Sequence, residues 1–313
     1  MILAAGLGTR LRPLTYELPK PVIPVLGRPL CSYTMEFLFR AGVTRFVFNL
    51  HHHPKIVKQQ VAAWAGRKIP VDYTVEPVIL GTGGGIRNAS EFLRDGTFVA
   101  ANGDTIVRFP FARALAFHKE RKALATLVLF PDPRRRYTPV RIDGEGRITG
   151  FGGEPPGGGR AGFYTGVQIV EPAVIEKIPG GGPSCIIRET YTPLVAEGAP
   201  VYGFLTTGLF REFGTPADYL DGTLAILAER LVAGTLPRPA APGATFRHPV
   251  YIAPGARVAP GAAVGPDAVV EKGATIGEGA AVSRALVWPG ASVSPGATVA
   301  NAVVTRGGIV AAG

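Results

Sequence analysis

The chain begins MILAAGLGTRLRPLTYELPKPVIPVLGRP at residues 1–29, and this stretch holds the most informative pattern in the sequence. The apolar run at residues 2–5 predicts a buried strand, and Gly6-Leu7-Gly8 then allows a tight turn close to a ligand. Successive N–H groups in such a turn form a concavity that suits a phosphate. Arg10 adds a permanent cation, and Lys20 lies between two prolines that stiffen its backbone. The stretch therefore predicts a strand followed by a phosphate-binding loop with two cations.

Two commoner glycine motifs do not fit this loop. A dinucleotide fold has G-x-G-x-x-G, and here Leu11 stands in the place of the third glycine. A Walker A loop has Gly-Lys-Ser/Thr, which follows neither glycine. The string instead resembles the opening of the sugar-1-phosphate nucleotidyltransferases, or NDP-sugar pyrophosphorylases, whose pattern is A-A-G-x-G-T-R-L-x-P-x-T followed by P-K-P. That pattern is met by Ala4–Leu11, Pro13, Thr15 and Pro19-Lys20-Pro21.

The resemblance implies a nucleotide site built on this loop. It assigns the triphosphate to a cradle formed by Ala5, Gly6, Gly8 and Thr9. Arg10 would hold the departing pyrophosphate, and Lys20 would neutralise charge at the transferring phosphoryl group and the sugar phosphate.

A second glycine-rich stretch, EPVILGTGGG at residues 76–85, precedes a predicted helix. Glycines at such a place let backbone groups approach a ligand. The stretch resembles the family's L-G-T-A-G-G segment, which implies that Gly81 and Thr82 lie beside the nucleobase. A flexible loop is the alternative interpretation.

Two carboxylates are candidate metal ligands. Residues 98–101 predict a strand that ends in Asn102-Gly103-Asp104, and α/β sheets bind ligands beyond the C-terminal ends of their strands. In the family this aspartate holds Mg²⁺, whereas an Asx turn is the alternative. The stretch 211–216 resembles the W-x-D-I-G-T-P element, which implies that Glu212 supplies the second carboxylate.

The sugar half of the site departs from the family pattern. The resemblance implies sugar contacts from Asn102, Glu154 and Gly166. The E-K-P element appears as Glu154-Pro155-Pro156, without the lysine that contacts the sugar phosphate, and Y-G-x-V appears at residues 137–140 without its glycine. These departures indicate an unusual sugar or a weakened enzyme. They also keep open a regulatory homologue that binds nucleotide sugars without turnover.

Alternating strand and helix patterns predict a Rossmann-like, doubly wound, mainly parallel sheet. The turn after one strand contains His51-His52-His53, which suggests a metal, but neighbouring side chains diverge and no acidic or cysteine cluster adjoins them. Helices are expected at 30–41, 54–65, 111–121 and 216–231, and strands at 46–50, 71–75, 98–101, 123–130, 140–142, 147–151 and 163–170.

The C-terminal part of the chain has a six-residue period, which predicts a parallel β-helix. It resembles the left-handed hexapeptide-repeat helix. This divides the chain into a nucleotidyltransferase domain at 1–232, a Pro/Gly-rich linker at 233–245 and the β-helix at 246–313. The periodic positions are Ile252, Val258, Val264, Val270, Ile276 and Val282, and after a slip of one residue Val287, Val293 and Val299.

Composition limits the function classes. Two cysteines are too few for a disulfide framework and fit a reducing cytoplasm. The net charge of +10 suits an anionic substrate, but the longest cationic block is Arg134-Arg135-Arg136, so no nucleic-acid partner is predicted. The N-terminus lacks the basic region of a signal peptide. The uncharged stretch 285–305 is crossed by two prolines, so no membrane partner is predicted either.

These features predict a cytoplasmic, Mg²⁺-dependent enzyme that makes an NDP-sugar and pyrophosphate from an NTP and a sugar 1-phosphate. GDP-mannose is the expected product, and a UDP- or dTDP-sugar is the alternative. Acyl transfer by the coil is disfavoured, because the last histidine, His248, precedes the first repeat. The coil is expected to join subunits into a homo-oligomer through an open final turn and apolar surface that includes Trp288. Its removal is expected to leave the nucleotide-site residues in place.

Overall fold

The computed structural model of the protein describes residues 1–154 and 159–312. Contacts divide the chain into two compact units. The first contains Met1–Leu7 and Cys31–Arg211, and the second contains Gly8–Leu30 and the chain from Glu212 onward. The stretch with Arg10 and Lys20 therefore groups with the C-terminal part of the chain. The domain boundary at residue 232 stays a prediction.

The strands fall into two groups, one for the predicted doubly wound sheet and one for the predicted β-helix. The first group is β1 Ile2–Leu3, β2 Pro24–Val25, β3 Arg28–Pro29, β4 Phe46–Leu50, β5 Val71–Val75, β6 Phe98–Asn102, β7 Thr105–Arg108, β8 Ala125–Phe130, β9 Pro139–Ile142, β10 Ile148–Phe151, β11 Arg160–Val170, β12 Val201–Leu205 and β13 Leu209–Glu212. The second is β14 Thr245–Phe246, β15 Val250–Ile252, β16 Arg257–Val258, β17 Ala263–Val264, β18 Ala268–Val270, β19 Thr275–Ile276, β20 Ala281–Val287, β21 Ser292–Val293, β22 Thr298–Thr305 and β23 Gly308–Ala311.

The α-helices are α1 Leu14–Glu17, α2 Cys31–Arg40, α3 Pro54–Ala65, α4 Gly81–Asn88, α5 Phe111–Glu120, α6 Thr192–Ala196 and α7 Pro216–Val232. Short 3₁₀ turns lie at Thr9–Leu11, Lys20–Val22, Ser90–Phe92 and Pro172–Lys177, and a π-helical turn lies at Ile186–Tyr191. The bounds of α3, β4 and β5 are those that the sequence pattern predicts. Strand β12 was not predicted, and it pairs parallel with β8.

A mixed nine-stranded sheet forms the first unit and confirms the Rossmann-like core. Its order is β10-β9-β11-β6-β1-β4-β5, with β8 beside β11 and β12 beside β8. Strands β5, β4, β1 and β6 run parallel, whereas β11 runs antiparallel to β6, β8 and β9. Strands β4 and β8 are buried along their whole length, which is typical of a sheet covered on both faces.

Parallel strands of the second unit stack at the spacing that the hexapeptide period predicts. Eighteen residues separate Thr245 from its partner Ala263, and eighteen separate Ala263 from Ala281, but seventeen separate Ala281 from Thr298. The change arises at one corner of the coil. Three residues connect Val264 to Ala268, whereas two connect their partners Val282 and Ala285. The shortened corner is the physical reason for the slip in the sequence pattern.

Branched apolar side chains fill the interior of the coil. They exclude water, and the burial of about 25 cal/mol for each Å² of apolar surface stabilises the stacked strands. The first turn is less covered, because Ile252 and Val258 are only partly buried. The periodic positions with at most 4% exposure are Val264, Val270, Ile276, Val282, Val287, Val293 and Val299.

The end of the coil differs from the expectation in two places. Strand β23 pairs antiparallel with β22, so this face of the last coil is covered by the chain itself. Trp288 is 2% exposed, and its indole Nε1 donates a hydrogen bond to the Tyr219 hydroxyl at 2.9 Å. Trp288 therefore offers no surface to a neighbour, and subunit assembly stays a prediction. Among the described residues, no helix combines the length and apolarity needed to cross a membrane.

The coil interior predicts a large stability effect for Ile276→Ala. Ile276 is fully buried, so the loss of three carbons should lower the free energy of unfolding by about 2–5 kcal/mol in urea unfolding followed by fluorescence. Ile309→Ala is the matched control, because Ile309 is 64% exposed and should change it by at most about 0.5 kcal/mol. Equal effects of the two changes would contradict this packing.

Candidate functional site

The loop after β1 leaves its backbone open at Gly6. Ala4 and Ala5 are buried, and the Ala4 N–H donates to Asn49 Oδ1 at 2.9 Å. By contrast, among the described residues other than its two chain neighbours, no heavy atom lies within 4 Å of the position that a Cβ would take on Gly6. The internal packing of the protein therefore does not require glycine here. An open backbone at this place fits the predicted approach of a ligand.

Gly8, in the second unit, is required by its conformation and by its neighbours. Its φ is 62°, and an added Cβ would lie 2.9 Å from Thr15 Cγ2 and 3.2 Å from Lys20 Cβ. The Thr15 hydroxyl also donates to the Gly8 carbonyl at 3.0 Å. The glycine turn and the lysine-bearing stretch thus pack directly on each other.

The two predicted catalytic cations differ in environment. Lys20 begins a 3₁₀ turn and is 7% exposed, so its side chain is buried. The Arg10 side chain is 68% exposed, and its Nη2 donates to Glu212 Oε1 at 3.0 Å. The structure thus brings together Arg10 and Glu212, which sequence reasoning had given separate tasks. Gly214 leaves room for this pair, because its Cβ would lie 3.2 Å from Glu212 Oε1.

The second glycine-rich stretch lies inside a helix, which corrects the expectation that the glycines precede one. Helix α4 begins at Gly81. The Gly83 N–H donates to the Ser184 carbonyl at 2.9 Å, and the Ser184 N–H donates to the Leu80 carbonyl at 2.8 Å. An added Cβ on Gly81 would lie 2.6 Å from the Ser184 carbonyl oxygen. The glycines therefore have a packing function, and contact with a nucleobase stays a prediction.

Residues around Ser184 were missed by sequence reasoning, although they touch this stretch. The Ile186 N–H donates to the Thr82 hydroxyl at 3.0 Å. Within the described part of the chain, the buried Ser184 hydroxyl has no hydrogen-bond partner. No local sequence pattern marks Ser184 and its neighbours, because their contacts with the glycine-rich stretch join residues about a hundred positions apart.

A buried polar pair, Asn49 and Glu76, links the two predicted nucleotide-binding stretches of the first unit. The Asn49 amide accepts from Ala4 through Oδ1 and donates through Nδ2 to Glu76 Oε1 at 2.8 Å. Glu76 Oε2 accepts from the Leu80 N–H at 2.9 Å. Both side chains are at most 2% exposed. Their positions at the C-terminal edges of β4 and β5 could have identified them, by the same rule that selected Asp104.

The histidines after β4 form the predicted turn. His51 Nδ1 lies 2.8 Å from the Glu76 carbonyl oxygen, and the rings of His52 and His53 lie 4.1 Å apart. His53 has a φ of 45° and precedes α3. In residues 1–154 and 159–312, no group of three His, Cys, Asp or Glu side chains is arranged to hold a metal.

The predicted sugar residues are only partly brought together. An added Cβ on Gly166, whose φ is 81°, would lie 2.4 Å from Asn102 Nδ2, so these two residues are in contact. Glu154 instead pairs with Arg135 Nη1 at 2.6 Å on an exposed surface. Pro155, where the family lysine is missing, lies outside the described residues.

Asp104 follows β6 at the edge predicted for it. The Gly103 N–H donates to the Leu3 carbonyl at 2.9 Å, which fixes this turn beside β1. Asp104 is partly exposed and belongs to the first unit, whereas Glu212 belongs to the second. A carboxylate in this setting is a suitable oxygen ligand for Mg²⁺. The joint binding of one ion stays a prediction.

Comparisons with known proteins agree with the fold. The family described as nucleotidyl transferase matches residues 1–229, and the GMPPB C-terminal domain matches residues 246–312. A mannose-1-phosphate guanylyltransferase of Mycobacterium tuberculosis is 32% identical over 78% of this chain and 67% of its own length. A mannose-1-phosphate guanyltransferase of Yarrowia lipolytica is 32% identical over 73% of this chain and 64% of its own length.

Further matches extend the comparison. A UTP–glucose-1-phosphate uridylyltransferase of Synechocystis is 29% identical over 74% of this chain and 64% of its own length. The matched region thus spans about two thirds of the curated relatives. The crystal structure of HddC from Yersinia pseudotuberculosis is 25% identical, with a TM-score of 0.61, over 72% of this chain and 97% of that chain. HddC complexed with GMP-PN matches with a TM-score of 0.60.

The link between Asn49 and Glu76 predicts that Glu76→Gln is destabilising. Both partners of this carboxyl are N–H donors, so a glutamine must turn its own NH₂ toward one of them. The loss should be about 1–3 kcal/mol in the free energy of unfolding, measured in urea. Glu91→Gln, on an exposed turn, is the control and should leave stability unchanged. Equal stability of the two variants would show that the link contributes nothing.

Proposed function

Because the chain belongs to the nucleotidyl transferase family, we propose that it makes an NDP-sugar and pyrophosphate from a nucleoside triphosphate and a sugar 1-phosphate. The observation that carries the proposal is the contact of Gly8 with Thr15 and Lys20. A turn of this kind suits a phosphate, and the packing of Lys20 Cβ on it supports a function of this lysine near the phosphates that the turn would bind.

The reaction needs positioning and charge neutralisation more than proton transfer. A phosphate oxygen of the sugar 1-phosphate attacks the α-phosphorus, a new P–O bond forms, and the bond to the β-phosphate oxygen breaks to release pyrophosphate. The attacking phosphate is largely ionised at neutral pH, so no general base is required. Lys20 would neutralise charge at the transferring group, and the exposed guanidinium of Arg10 would hold the leaving pyrophosphate.

Asp104 and Glu212 would hold Mg²⁺ together with phosphate oxygens of the substrate. When bound, the ion supplies Lewis-acid polarisation of the phosphoryl oxygens. In the structure Glu212 already accepts from Arg10, so this carboxylate would have to leave or share its Arg10 partner when substrate binds.

GDP-mannose is the product that we propose. The guanylyltransferase names of relatives at 32% identity and the appended coil support guanine and mannose. The uridylyltransferase relative at 29% identity supports a UDP-sugar as the second candidate. The test is a pyrophosphate-release screen of five nucleoside triphosphates against mannose, glucose, N-acetylglucosamine and heptose 1-phosphates. The highest kcat/KM should come from GTP with mannose 1-phosphate. No release with any pair, but tight binding of a nucleotide sugar, would favour the regulatory homologue.

Loss of either cation should slow the reaction strongly. Lys20→Ala and Arg10→Ala should each lower kcat/KM by about 100-fold or more, the usual scale for removing one charge-stabilising donor. Arg12→Ala is a matched control on the same exposed loop. Near-normal turnover of the Lys20 or Arg10 variant, measured by pyrophosphate release, would overturn these assignments.

The function of Glu212 can be separated from that of its Arg10 partner. If Glu212 holds Mg²⁺, Glu212→Gln should raise the Mg²⁺ concentration for half-maximal rate by about tenfold. Glu212→Asp, which keeps a carboxylate, should have the Mg²⁺ requirement of the wild type. Asp104→Ala should abolish activity. A Glu212→Gln variant with an unchanged Mg²⁺ requirement but an altered KM for the triphosphate would assign Glu212 to Arg10 alone. Full wild-type activity in excess EDTA would exclude both metal assignments.

A further inference from the structure

The stretch Gly8–Leu30 carries Arg10 and Lys20, and we call it the lysine segment. It belongs to the second unit, together with α7 and the coil. The Tyr219 hydroxyl, on α7, donates to the Pro24 carbonyl at 2.5 Å. The same hydroxyl accepts from the Trp288 indole at 2.9 Å. Tyr219 and Trp288 are at most 2% exposed, so a buried line of hydrogen bonds runs from the coil through α7 to the segment.

A second contact joins the coil to the lysine segment directly. Glu271, on the coil, is 2% exposed, and its Oε1 accepts from the Gly27 N–H at 3.0 Å. Gly27 also fits closely against Tyr251, because an added Cβ would lie 2.6 Å from the Tyr251 hydroxyl oxygen. An apolar residue in place of Glu271 would remove this acceptor, so the direct hydrogen bond between the coil and the segment would be lost.

A third contact lies on the other side of Lys20. The Gly307 N–H, between β22 and β23, donates to Glu17 Oε1 at 3.1 Å. The segment is therefore held at Glu17, three residues before Lys20, and at Pro24 and Gly27, four and seven residues after it. Contacts on both sides restrict the backbone that carries the lysine.

We propose that the coil positions Lys20, with Trp288, Tyr219 and Glu271 as positioning residues that hold the lysine segment in its active conformation. The proposal rests on the proposed function, since it assigns Lys20 to the reaction. It replaces the expectation that the coil could be removed without effect on the site. A displacement of about 1 Å at a catalytic group can lower a rate by about 100-fold, so distant anchors can affect turnover.

The chemistry of Glu271 supplies a pH-dependent readout. Burial raises the pKa of Glu271 to about 7, and the hydrogen bond from Gly27 acts in the opposite direction. Glu271 faces the Gly27 N–H from the segment and Tyr251 from β15. Burial and the charge of Glu271 raise the pKa of Tyr251, and Arg230 from α7 lowers it. Because the folded state holds this proton more tightly than the unfolded state, the stability that Glu271 contributes is full below about pH 4.5. It is lost as pH rises to about 7.

The first test uses Tyr219→Phe and Trp288→Phe in the full-length protein. Tyr219→Phe keeps the ring but removes the donor to Pro24, so amide hydrogen exchange across residues 20–30 should rise by about tenfold while β4 and β6 stay protected. The kcat should fall by about tenfold, with KM for the triphosphate within about twofold. Both hydrogen bonds use the Tyr219 hydroxyl. Adding Trp288→Phe to Tyr219→Phe should therefore change the exchange rate and kcat little further.

The second test uses Glu271→Gln, which keeps an acceptor for Gly27 but removes the titration. Its urea midpoint should lack the decrease that wild type shows between about pH 4.5 and pH 7, and its rate profile should lose one inflection near pH 7. Glu278→Gln makes the same chemical change at an exposed coil position and should behave as wild type.

The results separate the two proposals. Exchange that rises uniformly over both units in Tyr219→Phe, or that rises at residues 20–30 without a change in kcat, would overturn the positioning function. So would a Glu271→Gln variant with the pH profile of wild type. A wild-type protein that is inactive with every substrate pair would overturn the proposed function, and the exchange data would still show whether the coil restrains the segment.

Discussion

The close approach of Gly8 to Thr15 and Lys20 is the contact on which the candidate site depends. With a Cβ only 2.9 Å from Thr15 Cγ2, no other residue could hold this turn without moving the side chains behind it. The left-handed φ of 62° adds a backbone reason to the steric one. Because Thr15 also bonds the Gly8 carbonyl, the turn, the short helix α1 and the lysine behave as one packed piece.

That piece is continuous with residues that are held by contacts far away in the chain. Its neighbours in the second unit come from α7 and the coil, about two hundred residues later and beyond. The capping box at the start of α7, in which Thr215 and Asp218 satisfy each other's backbone N–H groups, fixes the first turn of the helix that carries Tyr219. Helix capping, core burial and the placement of Lys20, the cation that we propose acts in the reaction, are therefore linked in one unit.

Local patterns predicted much of the fold. Period-two and helical patterns located β4, β5 and α3 to the residue, and the hexapeptide period located the interior of the coil. The loop motif predicted Arg10 and Lys20, and the end of a predicted strand indicated Asp104, because spacing within a short stretch carries that information. Sequence patterns did not predict the contacts that depend on long-range packing. The burial of Trp288, the pairing of Arg10 with Glu212 and the bridge from Asn49 to Glu76 depend on partners that no local window contains.

The shortened corner shows where the coil can gain or lose a residue. Asp267, Arg284 and Asn301 occupy this corner in successive coils, and all three have a positive φ, of 59°, 41° and 51°. The coil with Ser283-Arg284 has one residue fewer there, and the next coil, with Ala300-Asn301, has the same shorter corner, so inward side chains stay inward. A one-residue deletion within a strand would instead turn every following side chain to the opposite face. Insertions and deletions in this domain are therefore tolerable at corners and only where the stacked coils can follow.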